Sequence, residues 1–102
     1  MKVEVLYFEG CPNHKPAVER VRLVLRQQGI AAELVEIEVP DAEAAKAMGF
    51  LGSPTIRVNG LDIDPASRTA KEVGFACRCY SGGLPAEDLI RAAVHEAMGL
   101  SR

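Results

Sequence analysis

Cys11 is the residue with the most chemistry to offer. It lies in Gly10-Cys11-Pro12-Asn13-His14, directly after the apolar run Val3-Glu4-Val5-Leu6-Tyr7-Phe8. A thiol carried by a strand onto the start of a helix is held in place. Unpaired N–H groups and the positive end of the helix dipole favour the thiolate there, which is the nucleophilic form. Pro12 suits a helix start, where its missing N–H is no loss. The polar, turn-like Pro-Asn-His argues for an accessible sulfur rather than a buried filler. A second piece, Ser53-Pro54-Thr55, directly precedes Ile56-Arg57-Val58. A Ser-Pro-Thr step entering a strand can bring backbone against the thiol and align an incoming sulfur by strand-like hydrogen bonds.

His14 can donate a hydrogen bond to a Cys11 thiolate or ligate a metal, and it can equally be a solvated first-turn histidine. Glu9 either tunes the thiol and accepts a proton or is an exposed strand-end acid. Glu36 and Glu38 read as a solvated strand face, and His95 as surface. Cys77 and Cys79 are two apart, so in an extended segment both thiols point the same way. Three roles compete for them. Cys77 can resolve a disulfide with Cys11. Cys11, Cys77 and Cys79 can together hold a soft metal ion such as mercury, arsenic or copper. Or Cys77 and Cys79 fill space beside Phe75 and Tyr80. Arg68, Lys71 and Arg78 in the same segment either attract anions, such as the carboxylates of glutathione, or are ordinary loop charges.

The 102 residues suffice for one domain, 1–102, and are too few for two. With 48% apolar and 25% charged residues, the composition is that of a soluble globular protein. A net charge of −2 supplies no basic footprint for nucleic acid. No apolar stretch approaches the roughly 20 residues of a membrane helix, and the N-terminus lacks a signal-peptide layout, so a cytoplasmic place is expected. Three cysteines are an odd count for a disulfide framework, leaving fillers, reactive thiols or metal ligands.

The elements that must position these groups follow from periodicity. Val3 to Phe8 is apolar on both faces, as in a central strand. Pro16 to Gln28 carries an apolar helical stripe that Gly29 ends. Ala32 to Val39 alternates as a strand, and Asp41 caps a short helix, Ala42 to Met48. Thr55 to Val58 and Leu61 to Asp64 form a hairpin through Asn59-Gly60. Residues 65–83 are irregular, and Pro85 opens a last helix as its first-turn residue, stopped by Gly99. The order β-α-β-α-β-β-α makes an α/β domain, a four-stranded mixed sheet with helices on both faces.

This order, the cysteine-proline step after strand one, Ser53-Pro54-Thr55 before strand three and the Asn59-Gly60 hairpin resemble the thioredoxin and glutaredoxin superfamily. The resemblance covers essentially the whole chain. More narrowly, Glu9 to His14, Phe50 to Val58 and Cys77-Arg78-Cys79-Tyr80 are similar to small bacterial thioredoxin-like proteins. The resemblance implies a cis Pro54 and thiol-disulfide oxidoreductase chemistry. Cys11 would be the nucleophile, and Ser53, Pro54 and Thr55 would meet the substrate. Its partner would be a protein or glutathione disulfide, with no cofactor required beyond glutathione as thiol. The chain would be a monomer or weak dimer. It departs from the family at His14, which stands where a second cysteine would complete C-x-x-C. The two-cysteine cycle therefore cannot run within the motif, and glutathione or Cys77 would have to resolve the intermediate. Two other readings are a heavy-metal thiolate protein and a non-catalytic binding module on the same fold.

Overall fold

Why the chain folds as it does is clearest at its first strand. In the computed structural model, which describes residues 1–50, 52–65 and 84–99, β1 spans Lys2–Tyr7. Val3 and Val5 are fully buried on one face and Leu6 is buried on the other. A strand apolar on both sides belongs in the middle of a sheet, and β1 does sit there. It pairs in parallel with β2 (Glu33–Glu38) and antiparallel with β3 (Thr55–Val58). With β4 (Leu61–Asp62) added antiparallel to β3, the order is β2-β1-β3-β4.

Two apolar clusters sandwich the sheet. On one face, α1 (His14–Gln27) presents Ala17, Val18, Val21, Val24 and Leu25, a spacing that forms a single helical stripe. α3 (Glu87–Ala97) adds Ile90, Ala93 and Val94, and both pack on Val3, Val5, Ile56 and Val58. Polar ties fix the two helices together: Arg20 Nη1 donates to the Pro85 carbonyl at 3.0 Å, and His95 Nε2 lies 2.6 Å from Gln28 Oε1. His95 is thus a helix–helix contact rather than plain surface. On the other face, α2 (Ala42–Met48) packs Ala45 against Leu6, Val39 and Phe50. The Asp41 carboxylate caps α2 by accepting from Ala44 N at 2.8 Å, and Gly49 ends it in the left-handed conformation. Among the described residues the result is an α/β arrangement of a four-stranded mixed sheet and three helices, on both of its faces.

Three local expectations are corrected. α1 begins two residues before Pro16, which therefore occupies the first turn, where its absent N–H costs no bond. Pro85 precedes the N-cap, Ala86, instead of opening α3; Glu87 and Asp88 supply first-turn negative charge where no side chain caps the helix. β4 stops at Asp62, whose carboxylate accepts from Asp64 N at 2.9 Å and turns the chain. No described helix is long and apolar enough to cross a membrane.

The Asn59-Gly60 turn forms as expected, with φ of 51° and 86°. Asn59 also anchors β1: its amide donates to Lys2 O at 2.8 Å and its Oδ1 accepts from Lys2 N at 2.9 Å. A Cβ on Gly60 would meet nothing within 4 Å, so the cost of Gly60→Ala is backbone strain alone. That substitution is expected to destabilise the fold by about 1–2 kcal/mol, read as a lower urea midpoint with unchanged slope.

Candidate functional site

Two consecutive tight turns hold Cys11 between β1 and α1. The first closes with Cys11 N donating to Phe8 O at 3.3 Å. Its third residue, Gly10, has φ +88°, which a type II turn requires and which glycine adopts without strain. The second closes with His14 N donating to Cys11 O at 3.3 Å. Pro12 is its second residue, and Asn13, at φ −94° and ψ −2°, has the geometry of the third position of a type I turn. Gly10, Pro12 and Asn13 thus each have a conformational reason to be there, and Cys11 joins the turns through its backbone. Asn13 is the helix N-cap but makes no side-chain cap bond, and the first turn of α1 carries no acidic residue. No side chain of the helix's own first turn offsets its positive end in front of the cysteine turn.

Cys11 is a free thiol, only 8% exposed, so the expected accessibility is realised only in part. It belongs to neither apolar cluster. It lines an open cleft of about 500 Å³ together with Tyr7, Glu9, Pro12, His14 and Lys15. Cys11 is therefore a buried residue at the wall of a partly polar cleft, outside both apolar clusters.

The Ser-Pro-Thr corner lies at the same end of the sheet. Ser53 is fully buried, and its hydroxyl accepts from Phe8 N at 3.3 Å, which ties the corner to the turn that carries Cys11. The Ser53–Pro54 peptide is cis, as the resemblance implies. Thr55, also fully buried, donates through Oγ1 to Gly52 O at 2.6 Å. Arg57 braces the same segment from β3: its Nη2 donates to the carbonyls of Met48 and Gly49 at 2.8 and 2.9 Å.

His14 has a more defined setting than a solvated helix start. Its ring stacks on Tyr7, with centroids 3.6 Å apart and planes 4° from parallel, and its Nε2 lies 2.6 Å from Glu36 Oε1. The His14 side chain is 12% exposed. Glu36 is thus drawn into the site, which the alternation of β2 does not reveal. The parallel register sets Glu36 beside Val5, on the sheet face covered by α1. The first residue of α1 then roofs the strand end that periodicity alone leaves open to water. Tyr7 and Glu36 are the site residues that sequence reasoning missed, and no local motif marks them.

Cys77 and Cys79, with Arg68, Lys71 and Arg78, lie outside the described residues, as does all of the segment expected to be irregular beyond Pro65. The resolving-cysteine role and the three-cysteine metal set both depend on them. Among the described residues, no group of three or more His, Cys, Asp or Glu side chains is placed to hold a metal ion. No protein-family model, curated protein or solved structure matches the chain.

Proposed function

We propose that this chain is a thioredoxin-like thiol-disulfide oxidoreductase working through Cys11. The observation that carries the reading is the join between the cysteine turn and the Ser-Pro-Thr corner through Phe8 N and Ser53 Oγ, beside an open cleft. A disulfide entering that cleft meets the residue that carries the thiol, and the buried Ser-Pro-Thr corner backs the turn that holds it. The Cys11 thiolate attacks one sulfur of the disulfide. A Cys11–substrate S–S bond forms, the substrate's own S–S bond breaks, and the leaving sulfur departs as a thiolate that takes up a proton. A second thiol then resolves the mixed disulfide: one of the glutathione class attacks the substrate sulfur and releases Cys11, or Cys77 attacks the Cys11 sulfur, releases the substrate as a thiol and leaves a Cys11–Cys77 disulfide for an incoming thiol to reduce. Each step is an exchange, so the incoming thiol is the only reductant needed.

The mixed disulfide is directly observable. After incubation with oxidised glutathione, peptide-resolved mass spectrometry is expected to find glutathione on Cys11. An adduct confined to Cys77 or Cys79, with Cys11 unmodified, would overturn the assignment.

A further inference from the structure

The geometry points to Glu36 as a positioning residue for the Cys11 reaction, acting through the His14 imidazole. This inference rests on the function proposed above and adds to it a proton carrier of fixed orientation.

An ionised carboxylate only accepts hydrogen bonds, so at 2.6 Å from Glu36 Oε1 the His14 Nε2 must carry the hydrogen. In the neutral ring, Nδ1 is then the bare acceptor. With Nε2 taken by Glu36, Nδ1 is the ring nitrogen left to serve the cleft that His14 shares with Cys11. Tyr7, stacked on the ring at 3.6 Å, prevents it from tipping away. Three elements converge to hold one imidazole: β1 supplies the platform, β2 the carboxylate and α1 the histidine. A histidine at a helix start with no such role needs neither a half-buried stack nor a carboxylate from another strand. Two further charged groups line the cleft, Glu9 and Lys15, and neither is given a hydrogen bond to the ring.

The proton balance follows. His14 Nδ1 accepts the Cys11 S–H proton and so generates the thiolate that attacks the disulfide. It returns that proton to the departing thiolate, so the exchange step leaves the ring as it began. In the second step Nδ1 takes the proton of the incoming thiol and passes it to the released Cys11. Glu36 remains ionised throughout, as the partner that fixes which nitrogen does the work and steadies the imidazolium between transfers.

The test joins a spectroscopic and a kinetic readout on the full chain. In the wild type, the imidazole nitrogen signals of His14 are expected to show the Nε2-protonated tautomer. Glu36→Ala is expected to lose that preference and to slow exchange between Cys11 and oxidised glutathione by about 10- to 100-fold. Glu36→Gln, which keeps an acceptor oxygen, is expected to restore the tautomer and much of the rate. In a His14→Asn background, Glu36→Ala should cause no additional loss. Circular dichroism confirms folding, and Glu36 is exposed enough for either change to be tolerated. An unchanged rate in Glu36→Ala, or the same loss with His14→Asn already present, would overturn the inference. Wild-type exchange by Cys11→Ser would instead overturn the nucleophile assignment, and the tautomer would then report the Glu36–His14 contact on its own.

Discussion

Replacing Cys11 by serine is expected to reduce disulfide exchange at least about a hundredfold, to the uncatalysed background, because an alcohol at neutral pH is not a nucleophile toward sulfur. The fold should survive. Serine is close in size to cysteine, and Cys11 belongs to neither apolar cluster, so no packing layer loses a member. The turns that hold the position use its backbone N–H and C=O, which serine also has. The measurement is exchange with oxidised glutathione beside a urea unfolding curve. Unaltered exchange in Cys11→Ser, together with a thiolate–metal absorbance on titration with a soft ion that needs all three cysteines, would favour the metal-handling alternative. Cys77→Ser separates the two routes of resolution: if Cys77 resolves, the mixed disulfide on Cys11 accumulates; if glutathione does, turnover continues.

The largest effect on stability is expected at Phe50. Its side chain is fully buried, and it is the largest member of the small cluster with Leu6, Val39 and Ala45 that seats α2 on the sheet. Phe50→Ala is expected to cost about 3–5 kcal/mol, since a cluster this small has few side chains able to collapse into the cavity. That is a large share of the roughly 5–15 kcal/mol that holds a domain together. Even the lower figure corresponds to a melting temperature lower by roughly 12–24 °C. The same substitution in a comparably buried valine of the larger cluster, Val24→Ala, should cost less, because fewer methyl groups are removed. Equal losses would mean that the Phe50 site collapses on truncation and leaves little cavity.

The fold was legible because each element carries its own local evidence. β1 announced itself by apolar residues on both faces, α1 by its stripe, α2 by Asp41 and Gly49, and the hairpin by Asn59-Gly60. These signals depend on neighbours a few residues away, which a sequence displays directly. Element ends were less legible. Pro16 and Pro85 both permit a helix start, and only the backbone shows that one lies inside α1 and the other outside α3. The site divides the same way. The turn after Cys11 was readable from Pro12, Asn13 and His14. The His14–Glu36 contact was not, because it joins residues 22 apart through the β1–β2 register and the path of α1 across the sheet. Alternation in β2 correctly put Glu36 and Glu38 on one face, but it cannot say what roofs that face at one end.

Arg57 has a consequence for binding. Its guanidinium fastens β3 to the last carbonyls of α2, so the chain that turns through Ser53 and Pro54 is secured at both shoulders, with Thr55 and Ser53 bonded inward between them. On the proposed function, a substrate reaching the Cys11 turn meets a neighbouring corner already in shape. Little conformational freedom is left to surrender on docking, so modest contacts can suffice for a short-lived encounter.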